Sequence, residues 1–380
     1  MNISPEFDEI RPFIDSEVPD AIEMLINNKD FEKIEPYLLP QKSHEENIKA
    51  LRTIKTIADF QKKYSNPFLE YIISETSDGL TVSGIKDIKG KGHLFIANHR
   101  DIILDTAFLQ LLLQQNGIPT TEITVGDNLM KNDLFKVLGK LNRVFTLKRD
   151  GTRIEMYNNF ILHAKYINNV IRERNESLWI AQRDGRTKDG NDKTQQGLLK
   201  MILGDRRDII TALHELAIVP VAISYELEPC FKSKIKETYI TETEGKYIKT
   251  ENEDMHSVAT STVAPKGRIH IGFGNRLNTI LNNFDQKELS NNEIINSFIN
   301  EIDHQIYKNY KLWPYNYLAF DFLNNTTVYK HKYTNEDINN FNKYVEKSIS
   351  EINGEKEKLK EIAYNIYANP VINKNKHANQ

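Results

Sequence analysis

The chain has 380 residues, 39% of them hydrophobic, enough for one large core or two smaller ones. A net charge of -3, with no basic run interleaved with aromatics, argues against a nucleic-acid groove. Cys230 is the single cysteine, which rules out an intrachain disulfide. No window reaches the roughly 18 to 20 consecutive apolar residues that span a bilayer; the best, Ile102 to Leu113, is interrupted by Asp105 and Gln110.

The start, MNISPEFDEIRPF, lacks the charged n-region and apolar h-region of a signal peptide, so the expected compartment is the cytoplasm. Contact with the inner face of a membrane would need only an apolar or basic surface patch. Residues 1–78 read as a helical N-terminal region. Pro19 stands near the first turn of a helix through Leu25, and an amphipathic run extends from Glu45 to about Lys63. Ser77-Asp78-Gly79 reads as a turn leading into the β-rich runs LTVSG and HLFIAN.

From there strands are expected near Thr81 and over Leu94 to Ala97, Glu122 to Val125, Val144 to Leu147, Leu178 to Ala181 and Ile218 to Ser224. Helices are expected over Ile102 to Gln114, Asn132 to Leu138, Ile154 to Ile171 and Gln195 to Leu203. This alternation predicts an α/β fold over residues 79–280, a mixed sheet flanked by helices, with helical N-terminal and C-terminal extensions. TYITET, KYIKT and RIHIGFG read as later strands, and Glu251 to Pro265 as a surface excursion. Pro220, inside IVPVAISYE, predicts an edge strand or a bend. Helices return over residues 281–370, including Lys287 to Tyr310 and Glu336 to Ile352, and residues 371–380 read as a disordered tail.

Three stretches could carry chemistry. In FIANHRDIILD, from Phe95 to Asp105, an apolar strand delivers Asn98 and His99 to a helix start that carries Asp101 and Asp105. An imidazole can take a proton from a hydroxyl at neutral pH, and a carboxylate can fix its tautomer. Asp101 also suits an ordinary helix cap, whereas Asp105 lies a turn further on in an apolar helix and needs a partner, for which His99 is the candidate. In AQRDGRTKDGNDKTQ, Arg183, Arg186 and Lys188 gather around Asp184, Gly185 and Gly190, a composition that suits an oxyanion and equally a solvated turn. In VFTLKRDGTR, Lys148, Arg149 and Arg153 follow another strand.

Taken in order, these blocks resemble the glycerolipid acyltransferase family, which includes glycerol-3-phosphate and 1-acylglycerol-3-phosphate acyltransferases. VSGIKDIKGKGHLFIANH is similar to that family's entry strand and Asn-His, and GDNLMKNDLFKVLGKLNRVFTLKRDG to its second block. RDGRTKDG is similar to the third block and IVPVAISYE to the fourth, while KGRIHIGFGNRL resembles a late strand of the glycerol-3-phosphate branch. The resemblance covers about Leu80 to Leu277.

Two positions depart from the family pattern. The family places its Asp five positions after the His, where this chain has Leu104, so either the loop after His99 absorbs the extra residue before Asp105 or Asp101 takes the role. The third block's Pro-Glu is replaced by Arg183-Asp184. The resemblance implies a glycerol-3-phosphate acyltransferase-like domain with His99 as general base and Asp105, or Asp101, as its partner. Asn98, Arg100, Lys148, Arg149, Arg183, Asp184, Gly185, Arg186 and Lys188 would line the substrates. It also implies an acyl thioester donor (acyl-CoA or acyl-carrier protein as co-substrate) and a phosphorylated glycerol or lysolipid acceptor. No other cofactor is expected, and no metal, since the few His residues lack ligand spacing. Two other classes use the same residues: a non-catalytic binder of phosphorylated lipids or membrane surfaces, and a metal-dependent hydrolase on His99, Asp101 and Asp105, which lacks further ligands.

Overall fold

The computed structural model describes residues 3–38, 43–88, 90, 92–250, 253–278 and 289–378. Helices α1 (Val18–Ile26), α2 (Lys29–Leu38), α3 (His44–Arg52), α4 (Ile57–Phe60) and α5 (Asn66–Thr76) precede the sheet. Strands β1 (Ser77–Ser83), β2 (Leu94–Ala97), β3 (Glu122–Gly126), β4 (Val144–Leu147), β5 (Leu178–Ala181), β6 (Ile218–Tyr225) and β7 (Gly267–Phe273) form it. Between the strands run α6 (Leu104–Gln115), α7 (Asp133–Leu141), α8 (Arg153–Asn168), α9 (Gln196–Leu203), α10 (Ile209–Leu216), α11 (Phe231–Glu244) and α12 (Glu253–Val263). The chain then continues as α13 (Asn291–Asn309), α14 (Pro314–Leu323), α15 (Asn335–Ile349) and α16 (Lys356–Ala378).

The strand order is β1-β7-β6-β2-β5-β3-β4. β4, β3, β5, β2 and β6 are all parallel, while β7 runs antiparallel to β6 and pairs parallel with β1. The sheet is therefore mixed, and helices cover both faces. Consecutive strand residues point to opposite faces, so Leu94 and Ile96 join one core with Phe145, Ile180, Leu199 and Ile302. Phe95 and Ala97 join the other with Phe108, Trp179, Val219, Val221 and Ile223. Burial on both faces explains why β2 and β6 read as unbroken apolar runs. α1 to α4 pack on α7 through Leu25, Phe31, Phe60 and Leu141, and α11, α14, α15 and α16 share a separate cluster that includes Phe231, Ile235, Phe341 and Tyr367.

Several expectations need correction. Ser77-Asp78-Gly79 is not a turn before the sheet: it lies inside β1, where the register with β7 shifts between Ser77 and Leu80 and Gly79 takes φ +111°. That is a bulge, which a glycine accommodates readily. The run from Glu45 to Lys63 breaks after Arg52 and restarts where Thr56 accepts the Asp59 N–H at 3.1 Å. TYITET lies within α11, KYIKT forms no strand, and the excursion after it is largely α12, its residues 251–252 lying outside the described ones.

Pro220 sits on an interior strand, opposite Ile96 of β2. Its carbonyl accepts from Gly274 N–H at 2.8 Å, just beyond the last β6–β7 pair, so its missing N–H falls at the end of that ladder and removes at most one terminal bond. The helix expected from Lys287 runs over Asn291–Asn309, Lys287 itself lying outside the described residues. The expected tail is helical as far as Ala378, with Val371 buried.

Candidate functional site

Five parallel strands end on one edge of the sheet, where ligand sites of α/β folds gather. His99 emerges there two residues beyond β2. Residues 98–103 are not helical, and α6 starts at Leu104. The loop thus absorbs the added residue and brings Asp105, in the first turn of α6, under the imidazole.

Asp105 is fully buried and its oxygens accept four hydrogen bonds. Oδ2 accepts from His99 Nδ1 at 3.0 Å, from Arg100 N–H at 2.6 Å and from Asp101 N–H at 2.9 Å. Oδ1 accepts from the Tyr225 hydroxyl at 2.9 Å. A buried carboxylate costs little when its lone pairs are filled in this way. With Nδ1 as donor, the neutral ring presents Nε2 as its acceptor. The His99 side chain is 15% exposed and meets Trp179 edge-on, with ring centroids 5.9 Å apart, so the ring is held in place yet reaches the surface.

Asp101 does other work. Its Oδ1 accepts from Ile103 N–H at 3.0 Å and Leu104 N–H at 2.8 Å, which caps the start of α6. Asn98 and Arg100, expected at the substrate, are both buried inside the protein. Asn98 Oδ1 accepts from Ile223 N–H at 2.7 Å and its Nδ2 donates to Ile223 O at 3.0 Å, extending the pairing of β2 with β6. Arg100 donates to Asp192 at 2.5 Å and to both Glu228 oxygens at 3.3 Å, while Lys234 donates to Glu228 and to the Arg100 carbonyl. Burial opposes the Arg100 charge, but Asp192 and Glu228 outweigh it and hold the guanidinium firmly protonated.

The loop after β5 lies over the strand end that carries His99: Gln182 N–H donates to Ala97 O at 2.7 Å and Thr187 N–H to His99 O at 2.9 Å. The β2–β5 register ends at Ala97 and Ala181, and the chain from Gln182 to Arg186 loops out before Thr187 returns to His99. Most of the expected cations already have acidic partners. Arg149 pairs with Asp184, Lys148 with Glu9, and both Lys188 and the buried Arg186 with Glu237. Of the six cations expected at the substrates, Arg183 alone has no hydrogen-bond or ion-pair partner among the described residues. Gly185 is exposed at φ +67°, at the tip of the loop. Beneath the β4 exit, His163 Nε2 accepts from Lys148 N–H at 3.1 Å; burial first, then Arg149 and Lys148, push its pKa down to about 4, which keeps it a neutral acceptor.

The far side of this loop rests on α16. Asn369 donates to Asp189 O at 2.7 Å and Asn373 to Asn191 Oδ1 at 3.0 Å. Gly190, at φ +77°, packs so closely on the Ile366 carbonyl that any Cβ there would collide with it. The Tyr367 hydroxyl accepts from Glu228 N–H at 2.9 Å.

Sequence reasoning did not single out Tyr225, Asp192, Glu228 or Glu237. Tyr225 had a signal: in β6 it shares the parity of Val219, Val221 and Ile223, and is the one polar-tipped residue on that apolar face. The three carboxylates had none: Lys234 follows Glu228 by six residues, but Arg100, Arg186 and Lys188 lie far from their acidic partners in the chain. Among the described residues no group of three or more His, Cys, Asp or Glu side chains is arranged to hold a metal ion.

The fold is similar to the crystal structure of the 1-acyl-sn-glycerophosphate (LPA) acyltransferase PlsC from Thermotoga maritima, with a TM-score of 0.35 and 12% identity over 75% of this chain and 92% of that one. No family model and no curated protein matches the chain. A likeness at that level assigns no activity, and the chemistry of the site rests on its own residues.

Proposed function

We propose that this chain is an acyltransferase, moving a fatty acyl group from acyl-CoA or acyl-carrier protein to the hydroxyl of glycerol-3-phosphate or 1-acylglycerol-3-phosphate in phospholipid biosynthesis. The observation that carries the reading is the His99–Asp105 pair at the carboxyl edge of the parallel strands, with Nε2 left for a substrate. The order of the sequence blocks supports it as well.

In this reading Nε2 takes the proton of the acceptor hydroxyl as the oxygen attacks the thioester carbonyl. Asp105 stabilises the imidazolium that forms. The tetrahedral intermediate then expels the thiolate, which takes that proton back from Nε2, leaving ester and thiol with no acyl-enzyme. Arg183, on the loop that returns to His99 and without an ion-pair or hydrogen-bond partner among the described residues, is the cation this reading assigns to an acceptor phosphate. Lys148, Arg149 and Lys188 form a rim that exchanges carboxylate for phosphate. Among the described residues no helix is long and apolar enough to cross a membrane; we place the enzyme in the cytoplasm or against the inner face of the membrane.

The test is direct. Purified protein is given acyl-CoA or acyl-carrier protein with glycerol-3-phosphate and, separately, with lysophosphatidate. Transfer to one of them that disappears in His99→Ala supports the reading. No transfer to either, or full activity in His99→Ala, ends it, and phosphate-dependent binding without turnover would favour a non-catalytic lipid-binding role.

A further inference from the structure

Tyr225 does not touch His99, yet it holds the far oxygen of the carboxylate that does. Among the described residues three donors converge on Asp105 Oδ2, but the Tyr225 hydroxyl is the single donor to Oδ1. Both side chains are buried, with the Tyr225 ring among Val219, Val221 and Ile223 on the apolar face of the sheet. Burial, then the charges of Asp105 and Asp101, raise the phenol well above its ordinary pKa, so the hydroxyl stays protonated and remains a donor.

We infer that Tyr225 is a positioning residue: by holding Asp105 Oδ1 it sets how tightly His99 keeps a proton, so that phenol, carboxylate and imidazole act as one hydrogen-bonded unit. This rests on the reading of His99 as the general base. A carboxylate shares its charge among its donors. With the phenol in place, part of that charge is taken up at Oδ1. Without it, the buried Oδ1 loses that donor, the charge falls more fully on the Nδ1–H contact, and the imidazolium is held more strongly.

The other charged and titratable groups around the unit are Asp101 on the loop, Arg100 with Asp192 and Glu228, Lys234 on α11, and Tyr310 after α13. Two cations face two carboxylates in the Arg100 cluster, and replacing Tyr225 by Phe alters none of these groups. The protein also carries its own control. At the opposite edge of the sheet the buried Tyr166 hydroxyl donates to Glu122 at 2.6 Å, a phenol–carboxylate bond of the same kind with no histidine on it.

The experiment follows the His99 imidazole by NMR against pH in the full chain labelled with 15N-histidine, His99 being assigned by the signal lost in His99→Gln. Tyr225→Phe is expected to raise the His99 midpoint by about half a pH unit or more, while Tyr166→Phe moves it by no more than about a tenth. In the transfer assay the acidic limb of kcat/KM should move up by the same amount, with KM changed by less than about two-fold. Tyr225→Met, which lacks the same donor, takes the place of the Phe variant should that one fail to fold. An unmoved midpoint in the Tyr225 variant, or an equal shift in both tyrosine variants, overturns the inference. Because the titration needs no turnover, it separates this coupling from the activity: loss of the acyltransferase reading would show as no transfer to either acceptor or as full activity in His99→Ala, whatever the midpoint does.

Discussion

The two edges of the sheet bury similar groups to different ends. At the carboxyl edge Asp105 accepts from Tyr225 and from His99, whose ring reaches the surface. At the amino edge Glu122 accepts from Tyr166 and pairs with Arg174 at 2.7 Å, beside a cavity of about 580 Å³ lined in part by Phe13, Ile57, Arg143 and Glu176. Burial pushes Tyr166 far above its ordinary value, and Glu122 outweighs the effect of burial on Arg174 and holds it above its own. Neither partner of Glu122 can exchange a proton near neutral pH. The amino edge thus buries its carboxylate among groups that keep their protons, whereas at the carboxyl edge the buried carboxylate carries an imidazole that reaches the surface.

The largest effect should come from removing that imidazole. His99→Ala is expected to lower turnover about 10³-fold while the circular dichroism spectrum and melting temperature stay near those of the parent; retained turnover would erase the distinction between the edges. Next comes the choice between the aspartates. Asp105→Ala should lose about 10²-fold in kcat, whereas Asp101→Ala should chiefly cost a helix cap, about 1 kcal/mol in urea unfolding. The reverse ranking would reassign the partner of His99.

At the amino edge, Glu122→Ala removes the nearer carboxylate of the buried Arg174 and leaves it Glu176 at 3.9 Å. Unfolding should show a loss of about 3 kcal/mol, with turnover per folded molecule unchanged. If turnover fell with stability, the edges would not be separable.

A further effect concerns pH. The folded-state pKa of His163, about 4, lies below the ordinary 6.5, so its contribution is present above 6.5 and is lost as pH falls through 6.5 toward 4. Asp303, raised to about 6 by burial, acts in the opposite sense and contributes most at low pH, but it is common to parent and variant. His163→Gln, which can keep an acceptor for the Lys148 N–H, should therefore lose less stability between pH 7 and pH 5, by on the order of 1 to 2 kcal/mol, as read from melts at the two pH values.

What could be read from the sequence was local. β2 to β6 and the position of His99 at a strand end followed from apolar runs and their punctuation. Asp105 was suspected because a carboxylate in an apolar helix needs a partner. TYITET misled because Thr, Tyr and Ile favour strands, whereas the packing of Phe231 and Ile235 on the C-terminal helices imposed α11. Arg100 misled for a different reason: beside His99 it looked like a substrate group, but Asp192 and Glu228, brought in from distant segments, turn it inward. The cationic loops were found by composition, yet composition could not show that Glu9, Asp184 and Glu237 already answer most of them.

Gly190 and α16 have a consequence in time. The turn at Gly190 is held by Asn369, a residue 180 positions downstream of its partner Asp189, and is seated against the Ile366 carbonyl. On a chain leaving the ribosome, β2, β5 and β6 can pair long before those residues are made. The loop facing His99 therefore gets its backing only after the chain has grown well beyond β6, and a nascent chain can hold paired strands before it holds a finished site.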